Sequence, residues 1–357
     1  MFKQQDTTLN FGHCAVKPVR IARSAAVTLL RLFENRNSAQ IGVGEQQPIA
    51  GLGFCNVPGK LFIIANHNMA RRTLPDFKKI RTIAITAIFS DDLMFERLVL
   101  KGGNALSLVH GISTRTSLDL DFSIENDFTD LPDIRSRAFR ALTDRFASAG
   151  YVVFDLKFEP KPAVPHAGQN PRWGGYMITF KLAEKVKFDE LKEDLGALRR
   201  DSVVIGPGEQ RVFSIDLSKY EFTKGKVEAE VDDYSIYVYT PGMIAVEKIR
   251  AICQQMPAYT PQRRPSARAR DFFDIHLVIS KTGVDLTASE NLELIRNIFA
   301  AKEVPLRLMS KIRFQREFHR PDWESVRATA PEAVEGFDYY FDFVVAQVEL
   351  LESLWEE

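Results

Sequence analysis

Leu98-Val99-Leu100-Lys101-Gly102-Gly103-Asn104-Ala105-Leu106-Ser107, then Arg115-Thr116-Ser117-Leu118-Asp119-Leu120-Asp121-Phe122, carries the topology of this chain. A short apolar strand over 97–100 runs into two glycines, where a helical stretch over 104–110 begins. After Gly111, the segment 117–124 alternates Leu118, Leu120, Phe122 and Ile124 with polar partners, the period-two pattern of a strand. Glycines let a ligand approach the backbone closely, and N–H groups at a helix start favour bound phosphate. Asp119 and Asp121 sit two apart on the strand and face one side. Carboxylates so placed repel unless a cation lies between them, and hard oxygen ligands suit Mg²⁺ or Mn²⁺.

A third acid, Asp216, lies in Phe213-Ser214-Ile215-Asp216-Leu217-Ser218, on an expected strand over 211–217. Apolar neighbours on both sides make its charge costly unless a cation compensates it. In a two-metal transfer Asp216 would ligate one metal and take the acceptor's proton. Singly, a Gly-Gly turn is usually only a turn, and Asp-x-Asp is common on solvated strand edges. The order strand, Gly-Gly, helix, Arg115, Asp-x-Asp, later strand Asp is specific for a nucleotidyltransferase core. Lys101 and Arg115 are further candidates for phosphate contact, with a strand cap and a loop-tip ion pair as the structural alternatives.

Outward from this centre, 132–149 has helical spacing and stops at Gly150, 151–158 and 176–182 read as strands, and 183–199 reads as a charged helix broken near Gly196. Trp173-Gly174-Gly175-Tyr176 reads as a turn with packing roles. From Pro241 the pattern is helical, over 241–256, 267–280, 288–302, 304–313 and 335–354. Towards the N-terminus, 20–35 reads as an amphipathic helix, 37–60 as a loop rich in Gly, Gln and Pro, and 61–65 as a strand. The expected fold is α/β (α+β): a mixed β-sheet core flanked by helices, a helical C-terminal half and a small N-terminal extension. The expected division is 1–75, 76–240 and 241–357.

The 357 residues hold 47 basic and 47 acidic side chains, so net charge identifies no nucleic-acid or membrane partner. Three cysteines far apart, Cys14, Cys55 and Cys253, fit a reducing cytoplasm. The most apolar span, 82–90, is far short of the roughly 20 residues a membrane helix needs, so no membrane partner is expected. The six histidines show no zinc spacing.

Leu100-Lys101-Gly102-Gly103-Asn104-Ala105-Leu106 followed by Ser117-Leu118-Asp119-Leu120-Asp121-Phe122 resembles the AbiEii/AbiGii toxin family of nucleotidyltransferases, within the DNA-polymerase-β-like superfamily. Asn104 stands where members often have Thr or Ser, which alters the expected phosphate contact. The resemblance spans roughly 75–280 and implies two further elements. One is Lys248 in Val246-Glu247-Lys248-Ile249-Arg250, expected to hold a triphosphate oxygen. The other is Arg268-Ala269-Arg270-Asp271-Phe272-Phe273-Asp274, with Asp271 in the site and Asp274 one turn on. Arg263, Arg264, Arg268 and Arg270 make a basic entry suited to an acceptor's phosphates. The resemblance also implies an NTP substrate, a tRNA 3′ end as acceptor, and a bacterial toxin with a cognate antitoxin or a phage-defence role. On the residues alone, a protein or antibiotic-type acceptor and a non-catalytic nucleotide-binding module stay open.

Overall fold

The computed structural model describes residues 52–57, 60–65 and 77–356, apart from 114–116, 118, 165–171, 206–208, 260–263 and 331–332. The expected helix over 20–35, Arg115 and Arg263 lie outside these residues. Met1–Arg72 and Thr73–Glu357 form two compact units. In the first, β1 (Leu52–Val57) pairs antiparallel with β2 (Lys60–Ala65). A strand therefore stands inside the expected loop, its apolar residues hidden among Gly- and Gln-rich neighbours.

The second unit opens with α1 (Phe77–Phe89) and α2 (Asp92–Arg97), the latter capped by Asp91, whose carboxylate accepts from Met94 N–H at 3.1 Å. Arg97, read as the first residue of a strand, instead ends this helix. β3 (Val99–Lys101) follows, then a helical turn Gly102–Asn104 that loosens into a π turn over Ala105–Val109. Next come β4 (Leu120–Ser123), α3 (Leu131–Ser148), β5 (Tyr151–Lys161) and β6 (Gly175–Glu184). The expected helix over 183–199 is two helices, α4 (Lys185–Leu191) and α5 (Leu195–Asp201). The break precedes Gly196 because Asp194 starts a new helix, its side chain accepting from Ala197 N–H at 2.9 Å. β7 (Phe213–Ser218), β8 (Val227–Val231) and β9 (Tyr234–Val238) complete a seven-stranded sheet in the order β5-β6-β7-β4-β3-β9-β8. Parallel pairs β4–β7 and β3–β9 make it mixed.

Ile134, Ala138, Leu142 and Phe146 recur every four residues on α3, and this stripe is buried. α6 (Pro241–Cys253) begins with Thr240 accepting from Met243 N–H at 3.2 Å and is buried on nearly every side. It packs against α7 (Ala269–Thr282) and α8 (Ser289–Ala301). A 3₁₀ segment Leu306–Phe314, short turns over Arg316–Arg327, α9 (Phe337–Glu349) and the turn Glu352–Trp355 close the chain. No helix among the described residues is long and apolar enough to cross a membrane.

Candidate active site

Strand register assembles the acidic row. Lys101 on β3 pairs with Asp121 on β4, and Asp121 pairs with Asp216 on β7, so three charged residues cross adjacent strands in line. Asp119 precedes β4 by one residue, and its carboxylate accepts from the hydroxyl of Ser214, two residues before Asp216. Gly102 must be glycine on two counts. Its φ is +70°, and a Cβ there would come 2.5 Å from Asp121 Oδ2. The turn is thus pressed onto the carboxylate row.

Burial and neighbouring Asp216 push the Asp121 carboxyl up to about 7, with Asp119 adding repulsion and Lys101 opposing it. A group so disposed gains from a cation beside it. Among the described residues no three His, Cys, Asp or Glu side chains converge closely enough to enclose a metal as they stand. Two of the three aspartates have other partners here: the Lys161 ammonium lies on Asp216, and the Ser214 hydroxyl on Asp119. The donor chemistry of the row fits a divalent cation, and Lys161 would have to release Asp216 to admit it.

Asn104 is fully buried, and its amide serves the fold. It accepts from Arg81 Nη1 at 2.9 Å and donates to the Asp119 carbonyl at 2.6 Å, while Arg81 also donates to the Ser117 carbonyl at 3.1 Å. The side chain expected to touch phosphate instead fixes the segment that carries Asp119. Lys101 is likewise occupied: it reaches Glu221 at 3.4 Å and Glu247 at 3.6 Å. Burial alone would lower its ammonium, but these two glutamates hold it above its ordinary value. Arg250 completes the network at 2.8 Å from Glu221 and 3.3 Å from Glu247.

Lys248 and the aspartates of α7 do meet. Lys248 Nζ is 2.8 Å from Asp271 Oδ1 and 2.8 Å from Asp274 Oδ2, all three buried. Arg268 adds its guanidinium to the other oxygen of Asp271. Burial would raise the Asp271 carboxyl, but Arg268 and Lys248 hold it below the usual carboxylate range. Of the expected basic entry, Arg268 is half-buried, Arg264 is exposed, and Arg270 is exposed and donates to Ser325 Oγ at 2.9 Å.

Beside Asp216 opens a cavity of about 240 Å³ lined by Lys101, Lys161, Trp173, Glu221, Arg268 and Lys302 among others. Lys161, Glu221, Arg250, Lys302 and Ser214 escaped the sequence reading. Only Ser214 carried a signal, as the same-face neighbour of Asp216 two residues on.

His319 is fully buried, and its Nδ1 accepts from Arg268 N–H at 3.0 Å. Burial lowers it from 6.5 to about 4, with Asp271 opposing and Arg268 assisting. Because the folded value is the lower one, the unfolded chain takes the proton first as pH falls. Stability therefore drops between pH 6.5 and about 4. His319→Asn keeps an acceptor for Arg268 and is expected to remove about 3 kcal/mol of that acid-dependent loss. Urea unfolding at neutral and acid pH reads the difference. An equal acid loss in both proteins would sink the assignment.

A mixed sheet that lines up aspartates on adjacent strands beside a glycine turn has the architecture of a nucleotidyltransferase. The family model described as nucleotidyl transferase AbiEii toxin, Type IV TA system, matches residues 83–346, and the chain belongs to this family. Among solved structures, the chain is similar to JHP933 from Helicobacter pylori at 16% identity and TM-score 0.41, covering 78% of this chain and 91% of that one. It is also similar to an antigenic nucleotidyltransferase-like protein from Paracoccidioides brasiliensis at 16% identity and TM-score 0.31, covering 72% and 94%. No curated protein matches the sequence significantly.

Proposed function

We propose that this protein moves a nucleoside monophosphate from an NTP onto the 3′ hydroxyl of a tRNA, breaking the α–β phosphoanhydride bond and releasing pyrophosphate, as the toxin of a bacterial toxin–antitoxin or phage-defence pair with a cognate antitoxin. The observation that carries the reading is the Asp121–Asp216 register, with Asp119 two residues away and the Gly102 turn pressed against Asp121. Asp119, Asp121 and Asp216 would hold Mg²⁺ or Mn²⁺. When bound, the cation neutralises phosphate charge and makes the acceptor hydroxyl more acidic.

The chain's own groups do the rest. Gly102 and Gly103 leave the backbone bare where the triphosphate comes closest. An ammonium has three N–H donors, and two carboxylates engage Lys248, so one donor remains for a triphosphate oxygen. Asp216 accepts the proton of the attacking hydroxyl. Arg264 and Arg268 steer the acceptor's phosphates, so transfer to RNA should weaken as salt rises.

The test is incubation with each α-labelled NTP, Mg²⁺ and total tRNA, with Asp119→Ala as control. Label on RNA with wild type alone is the expected result. Label on the protein itself, or equal labelling by the variant, would overturn the reading.

A further inference from the structure

The glycine turn and the cavity flank the acidic row on opposite sides. β3 runs antiparallel to β4, so the chain leaving Lys101 heads towards Asp119. The cavity lies the other way, taking in Asp216, Ser218 and Glu221. In-line transfer places the attacking and leaving oxygens on opposite sides of phosphorus. With the triphosphate over Gly102, the cavity is on the acceptor's side.

Trp173 stands at that side, and the fold takes pains to hold it there. Gly174 has φ +109°, and a Cβ on it would come 2.5 Å from the Lys161 carbonyl; a Cβ on Gly175 would come 1.8 Å from the Leu217 carbonyl. Only glycines let this segment lie so close to the ends of β5 and β7. Both flanks of Trp173 are also tied. Lys302 Nζ donates to the Arg172 carbonyl at 3.0 Å, and Lys219 N–H donates to the Gly174 carbonyl at 3.1 Å. Lys302 is buried and reaches Glu221 at 3.5 Å, so a lysine charge is kept inside the fold to hold the residue before Trp173.

At about 240 Å³ the cavity is below the ~300 Å³ at which pockets begin to take drug-sized ligands, which suits one base rather than a whole NTP. Its lining has five basic side chains (Lys101, Lys161, Arg250, Arg268, Lys302) against three acidic ones (Asp216, Glu221, Glu247), which favours an anionic chain. Resting on the RNA-acceptor reading above, we infer that Trp173 is the stacking platform for the terminal base of a single-stranded RNA acceptor. Lys161, half-exposed beside it, exchanges Asp216 for the acceptor's phosphate as the strand enters. Base–aromatic stacking tolerates any base, so the platform positions the 3′ hydroxyl without reading sequence.

The test uses the full chain with Trp173→Ala and Trp173→Phe, total tRNA as acceptor, and the ribotrinucleotide CCA as a fluorescence probe. Trp173→Ala is expected to raise the acceptor KM about tenfold or more, leaving the NTP KM unchanged. Trp173→Phe keeps a stacking face and should stay within about threefold of wild type. CCA should quench wild-type tryptophan emission but not that of Trp173→Phe, which retains Trp323 and Trp355. An unchanged acceptor KM in Trp173→Ala, a shift in the NTP KM instead, or equal quenching of both proteins would overturn the platform while labelled RNA upholds the acceptor. Wild type that labels no RNA and shows no quenching would bring down the RNA reading and the platform together.

Discussion

Asp121→Asn is expected to make the protein more stable without metal and to lower nucleotidyl transfer about a thousandfold or more. Both effects have one origin. The Asp121 carboxyl is pushed up to about 7 because it is partly desolvated beside Asp216 and near Asp119. A folded value above the unfolded one means that the ionised form costs the fold free energy. That cost is absent below about pH 4, grows as pH rises, and is fully expressed above about 7. Asparagine keeps the shape and removes the charge, so a gain of about 2–4 kcal/mol should appear in EDTA at pH 8 and vanish near pH 4. The same charge is one the proposed cation needs. Urea unfolding at the two pH values reads the first effect, and single-turnover transfer of labelled NMP the second. A variant less stable than wild type at pH 8, or one within tenfold of its transfer rate, would refute the shared origin.

The residues that could be read from sequence are those whose neighbours in space are also neighbours in the chain. Gly102 follows Lys101 directly, and Asp119 and Asp121 share a strand face, so the turn and the acidic pair show as a local pattern. Asp216 was visible because a charge inside an apolar strand is anomalous by itself. The network behind them had no such signature: Lys101 and Glu221 are 120 residues apart, and only the sheet brings them together. Asn104 could not be told from a phosphate ligand by position, because its true partners, Arg81 and the Asp119 carbonyl, arrive from other elements. β8 was missed for a different reason. Its hairpin to β9 turns on Asp232 and Asp233, with φ values of +52° and +63°, in place of the usual Asn-Gly or Asp-Gly signal. Trp173 reads as a turn residue with packing roles, because the cavity whose lining it shares with Asp216 depends on two glycines meeting distant carbonyls.

Lys248→Met should destabilise the 73–357 unit by about 3–5 kcal/mol, the usual consequence of removing one partner from a buried ion pair. Lys248 joins α6 to α7 through two carboxylates at 2.8 Å each. Asp271 would keep Arg268, but Asp274, with no solvent exposure, would lose the ammonium that compensates it. Against a total stability of about 5–15 kcal/mol, the loss is large enough to lower the soluble yield. Adding Asp274→Asn removes the stranded charge and should restore more than half of the stability. The double variant then separates the two roles of Lys248. Its fold should recover, but the thermal shift expected for the wild type with NTP and Mg²⁺ should stay absent, because the donor proposed for the triphosphate is gone. A double variant that regains both stability and the nucleotide-induced shift would confine Lys248 to holding the two helices together.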